Sequence, residues 1–117
     1  MEGRKLNTLE TAMKVIAEAG DSKSYSMEAI YHAKEGRFEE AQECLENAGK
    51  ALASVHAVQT GMIRGEMTGE NKTEITLLMV HAQDHIMSAV TMRELAAELV
   101  SVHEKINLAF RKEGETV

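Results

Sequence analysis

The sequence predicts an all-α fold, an antiparallel three-helix bundle running up-down-up, from three observations. Apolar residues recur at intervals of three and four through most of the 117 residues. No proline interrupts them, so nothing forbids long helices. Aromatic residues make up only 3% of the chain, leaving Leu, Ile, Val, Ala and eight Met to fill the core, a composition suited to helix-on-helix packing. A chain of this length is expected to form one domain spanning residues 1–117.

The first helix is expected from about Thr8 to Glu35, with Leu6, Leu9, Met13, Ile16, Met27 and Ile30 on its apolar face and Gly36 placed to end it. Its middle, AGDSKSYS from Ala19 to Ser26, breaks the local rule. Glycine inside a helix costs about 1 kcal/mol relative to alanine. Gly20 therefore marks either a break into two helices or a place kept for close packing or a site.

The second helix is expected over 38–64. Phe38, Ala41, Leu45, Ala48, Leu52, Val55, Gln59 and Met62 hold heptad spacing along it, and only Gln59 is polar. The stretch RGEMTGENKTE then concentrates glycine, threonine and asparagine, which places a loop from Gly65 to Asn71.

The third helix is expected over 73–111, with Ile75, Leu78, Ala82, His85, Ala89, Met92, Ala96, Leu99, His103, Ile106 and Phe110 on one stripe and a polar, frayed tail. Leu77, Met79, Val80, Ile86, Met87 and Val90 lie outside that stripe and surround the helix with apolar surface between 75 and 92. Two other helices cannot cover it all, so a symmetric homo-oligomer is expected.

Composition excludes some functions. With 13 basic against 19 acidic residues the formal net charge is −6, which argues against nucleic acid as a partner. No apolar run reaches the length of a membrane span and the N-terminus lacks a signal peptide's apolar stretch, so a soluble cytoplasmic protein is expected. The single Cys44 falls in a helical pattern and reads as a buried thiol rather than a nucleophile.

The candidate site is LLMVHAQDHIMSA, residues 77–89, where His81, Asp84 and His85 interrupt an apolar helix. His81 has Asp84 and His85 on adjoining faces, three and four residues on, while Asp84 and His85 diverge by about 100°. Three readings compete. A metal site would use the His-x-x-x-His pair with Asp84, but no further ligand is evident and no Glu-x-x-His pair of the di-iron type is present. A structural or adaptor bundle would satisfy the histidines in helix interfaces. A phosphorelay needs one accessible imidazole with a fixed tautomer and an apolar surround for docking, which Met79, Val80, Ile86 and Met87 would supply around His81. An ionised Asp84 would repel a phosphorylated neighbour unless it pointed elsewhere or met a cation. Gln59 is expected to be a buried hydrogen-bonding residue that fixes register, and is a supporting candidate for the site. His32 and His56 read as exposed or structural, and His103 as packing or capping.

The segment VHAQDHIM resembles that around the phosphorylated histidine of the enzyme IIA proteins of the lactose/cellobiose (N,N'-diacetylchitobiose) class of the bacterial sugar phosphotransferase system. AGDSKSYSMEAI, AKEGRFEEA, HAVQTGMI and the Gly-Glu pair at 69 and 70 match further segments in order, so the resemblance covers about residues 9 to 110. It implies a three-helix bundle assembled as a homotrimer. It also implies a phosphoryl group accepted from phospho-HPr on Nε2 of His81 and passed to a cysteine of the cognate IIB, during uptake of a β-linked disaccharide through the membrane component IIC. Asp84 would bind a divalent cation, commonly Mg²⁺, at the trimer axis, and His85 would support His81 by a hydrogen bond or by packing. Ile86 stands where the family usually has Leu.

Overall fold

The computed structural model describes the backbone of residues 2–116 and the side chains of residues 8–111. Three helices follow one another, α1 (Glu2–Lys34), α2 (Phe38–Thr68) and α3 (Leu77–Thr116), with no strand among the described residues. The molecule is a rod with extents of 73 × 22 × 19 Å. α1 packs against both other helices much more extensively than they pack against each other.

α1 is continuous through Gly20, so the predicted possibility of a break is not realised. Close packing does not explain this glycine either, because a Cβ built at Gly20 meets nothing within 4 Å. Gly36 ends the helix as expected. At φ 77° it adopts the left-handed conformation, its N–H bonds the Ala33 carbonyl at 3.0 Å, and the Arg37 N–H bonds that of His32 at 2.9 Å.

The buried face of α1 differs from the expected one. Ala12, Val15, Ala19, Ser22, Ser26, Ala29 and Ala33 are the buried positions, in strict heptad spacing. Leu9 and Met13 stand 48% and 56% exposed on the flank, and Leu6 lies outside the residues whose side chains are described. A helix wedged between two others has little room along its centre, so small side chains occupy the middle of the seam.

α2 buries the seam read from the sequence, Ala41, Leu45, Ala48, Leu52 and Val55, together with Cys44. Burial, then the neighbouring Glu28 and Glu43, push the Cys44 thiol's pKa up, as befits an inert packing cysteine. The helix continues four residues past its predicted end. Gly65 stays helical and gives the returning chain room, since its Cβ would lie 2.9 Å from the Asn71 carbonyl oxygen, and the Asn71 N–H bonds the Gly65 carbonyl at 3.2 Å. Gly69, at φ 76°, makes the actual stop.

α3 begins at Leu77 rather than Thr73. Thr76 caps it, its hydroxyl accepting the Met79 N–H at 3.0 Å. Its core positions are Met79, Ala82, Ile86, Ala89, Ala96 and Val100, a stripe rotated from the expected one. Beyond Val100 the helix outruns its partners past the α1–α2 turn, so Ile106 and Phe110 are exposed rather than packed. Its backbone remains helical to Thr116 instead of fraying from Arg111.

The buried residues form two clusters. One joins Ala12, Val15, Ala19, Leu52, Val55, Met79, Ala82, Ile86 and Ala89. The other joins Ala29, Ala33, Ala41, Cys44, Leu45, Ala96 and Val100 near the α1–α2 turn. Between them lies a polar belt. Ser22 donates to the Ala48 carbonyl at 3.0 Å, and Arg93 Nε donates to the Leu45 carbonyl at 3.0 Å with its guanidinium in the space a Cβ at Gly49 would fill. Ser26, fully buried in the same belt, has a hydroxyl without a hydrogen-bond partner.

Candidate functional site

The site lies one turn into α3, in the half of the bundle away from the α1–α2 turn. His81 and His85, four residues apart, share one helical face as their spacing requires. Their Nε2 atoms are 3.1 Å apart and their rings meet edge to face, at 87° with centroids 4.5 Å apart. His81 is exposed and His85 half-buried. On the far side of the His85 ring, Nδ1 lies 3.0 Å from the Lys23 ammonium of α1. Burial, then Lys23 and His81, lower the His85 pKa from its ordinary value, with Asp84 opposing them.

Asp84 turns away from this line of groups, as its angular position demands. It is exposed and borders an apolar groove on the outer side of α3 and α1, with Met27, Ile30, Met87, Met92 and Leu95. Gln59 lies on the opposite flank of α3. There its Nε2 donates to Oε1 of Gln83 at 2.9 Å, tying α2 to α3 as a register residue would. Both glutamines line a cavity of about 300 Å³ with Met62, Ile75, Met79 and Val80. Gln59 thus touches neither imidazole, though it shares a level of the bundle with them.

The apolar surround of His81 is half what the sequence led us to expect. Val80 and Met87 are exposed, 53% and 59%, whereas Met79 and Ile86 are core residues. The difference follows from the rotated stripe of α3. Of the remaining histidines, His56 is exposed, His103 half-buried, and His32 accepts a bond from Arg37 at 3.1 Å. Among the described residues no three His, Cys, Asp or Glu side chains are grouped to hold a metal ion. No helix of the described residues is long and apolar enough to cross a membrane.

One residue of the site, Lys23, and one beside it, Gln83, escaped the sequence reading. Gln83 was inside the quoted motif but without an assigned partner. Lys23 sat in the anomalous polar stretch of the first helix, and its signal was spacing: Gly20, Lys23, Met27 and Ile30 follow at three, four and three, which puts them on one face.

Comparison with known proteins agrees along most of the chain. Residues 10–104 match the family model of the lactose/cellobiose-specific IIA subunit of the phosphotransferase system. The chain is 48% identical over 93 residues to the lichenan-specific phosphotransferase enzyme IIA component of Bacillus subtilis, covering 80% of this chain and 84% of that one. Its fold superposes on the cellobiose-specific enzyme IIA of Bacillus anthracis with a TM-score of 0.83 and 40% identity, over 86% of this chain and 92% of the other. The chitobiose IIA of Escherichia coli, solved in complex with HPr, matches with a TM-score of 0.74 and 37% identity, over 86% and 96% of the two chains.

Proposed function

Because this chain belongs to the lactose/cellobiose-specific IIA family of the sugar phosphotransferase system, we propose that it is a phosphocarrier working through Nε2 of His81. His81 takes a phosphoryl group from phospho-HPr and surrenders it to a cysteine of a cognate IIB. IIB then phosphorylates a β-linked disaccharide of the lactose, cellobiose or diacetylchitobiose type as it enters through IIC. This exchange belongs in the cytoplasm. The observation that carries the reading is an exposed imidazole, His81, whose Nε2 faces a second imidazole nitrogen at 3.1 Å. The similar chitobiose IIA solved with HPr supports the choice of donor. Exposed Val80 and Met87 beside His81 offer apolar contact to a docking protein.

The test is intact-mass spectrometry after incubation with enzyme I, HPr and phosphoenolpyruvate at neutral to mildly basic pH. The wild-type chain should gain one phosphate and His81→Ala none, with unchanged thermal unfolding. Uptake of phosphate by His81→Ala, or none by wild type while HPr is itself phosphorylated, rejects the carrier role.

The same reading includes a homotrimer. Asp84 is a lone, exposed carboxylate in an apolar groove, and a single carboxylate cannot enclose a divalent ion by itself. Copies related by a threefold axis would bring three carboxylates together, and Mg²⁺ held by them would offset their mutual repulsion. Sedimentation velocity should show a trimer at micromolar concentration, and Asp84→Leu should abolish stabilisation by Mg²⁺ while sparing phosphate uptake. A monomer in the presence of Mg²⁺ contradicts this assembly.

A further inference from the structure

We propose that Lys23 is a positioning residue for phosphoryl transfer, fixing through the His85 ring which nitrogen of His81 keeps a lone pair. The inference rests on the carrier reading of His81. It starts from a simple asymmetry: an ammonium has three donors and no acceptor, whereas a neutral imidazole has one of each.

Across the 3.0 Å contact, therefore, Lys23 Nζ donates and His85 Nδ1 accepts. A neutral ring whose Nδ1 accepts carries its proton on Nε2. That N–H meets His81 Nε2 at 3.1 Å, so His81 Nε2 is an acceptor in its turn. The proton of a neutral His81 is thereby left on Nδ1. Two hydrogen bonds in series thus transmit the donor character of one lysine to the nucleophile. Neutral histidine in water favours the opposite tautomer, with the proton on Nε2, which would block the nitrogen assigned to the reaction.

The transfer then needs no proton rearrangement. The Nε2 lone pair of His81 forms the N–P bond while the bond from phosphorus to the donor breaks, its electron pair returning to the donor. The Nδ1 proton stays in place. The His85 N–H, displaced from Nε2 by the incoming phosphorus, is left beside the phosphoryl oxygens and donates to them. Lys23 holds His85 in that donor form throughout.

The setting of Lys23 is consistent with this task. It is half-buried, against the ordinary preference of lysine for the surface, and its partner lies 62 residues away on α3. The preceding residue, Ser22, is pinned to α2 by its bond to the Ala48 carbonyl, which fixes the height at which Lys23 meets His85.

The test compares Lys23→Met, which removes the donor while keeping the stem, with Lys23→Arg, whose guanidinium also only donates. Imidazole ¹⁵N spectra should show His85 protonated on Nε2 and His81 on Nδ1 in the wild type and in Lys23→Arg, and mixed tautomers in Lys23→Met. The initial rate of phosphorylation by phospho-HPr should fall about tenfold to a hundredfold in Lys23→Met, less than the loss a wrong tautomer causes in a serine-protease triad. The final extent should be unchanged, and Lys23→Arg should restore the rate. Wild-type tautomers or a wild-type rate in Lys23→Met overturns the proposal, as does an arginine variant that is no better than methionine. The two failures are distinguishable. If wild type takes phosphate on His81 and Lys23→Met matches it, only the role of Lys23 falls; if wild type takes none, the carrier reading falls and the transfer role of Lys23 falls with it, whatever tautomers the spectra show.

Discussion

The half of the bundle that holds His81 sets Val15, Leu52, Val55, Met79 and Ile86 among four buried alanines, whereas the half at the α1–α2 turn sets Cys44, Leu45 and Val100 among four. Small side chains let helix axes come close, and larger ones hold them further apart. The turn half therefore has fewer bulky buried side chains, and a short connection joins α1 to α2 there. In the site half, bulkier side chains fill the centre while polar groups bridge the flanks: Lys23 to His85 on the α1 side, Gln59 to Gln83 on the α2 side. The candidate site falls where polar side chains bridge the flanks of the bundle.

Stability measurements can break this contrast. The largest effect is expected from Ile86→Ala, which removes three carbons from a fully buried side chain and should destabilise by about 2–5 kcal/mol in urea unfolding. Val100→Ala removes two carbons from among alanines, and its cost should be smaller. Equal costs per carbon removed would mean that the two halves are packed alike. Gly49→Ala is next. Its new methyl would fall 2.9 Å from the Arg93 guanidinium and displace the bond to the Leu45 carbonyl. A lost hydrogen bond to a charged group, about 1.5–3 kcal/mol, outweighs the ~1 kcal/mol of helix propensity gained, leaving a net loss of about 1 kcal/mol. Gly20→Ala gives the smallest change and the opposite sign. Open space surrounds that position, so the chain should gain about 0.5–1 kcal/mol. A loss at Gly20 would mean that this surface is covered in the assembled protein.

The fold was legible because three heptad patterns and an absence of proline admit few alternatives. Which face of each helix turned inward was less so. On α1, large apolar residues such as Leu9 and Met13 drew the reading toward the flank, when the central position of the helix demanded alanine and serine along the seam. The helix limits near the second loop were misjudged because Gly65 and Thr73 carry turn chemistry, while Gly65 serves inside the helix and the cap falls on Thr76. His81, Asp84 and His85 stood out because polar residues on an apolar stripe need a reason. Lys23 did not, since a lysine among serines looks like ordinary surface until the opposite helix is in place.

The belt of Ser22 and Arg93 bears on sliding. A seam of alanines offers little resistance to one helix shifting lengthwise past another, and a shift by a single turn moves side chains about 5.4 Å. Both belt bonds end on the same turn of α2, at the carbonyls of Leu45 and Ala48. That turn acts as a common datum, from which α1 and α3 each take their height independently. The 3.0 Å spacing of Lys23 and His85 is then the difference between two settings made on one scale. Accuracy at the histidines is inherited from a latch nearer the middle of the rod.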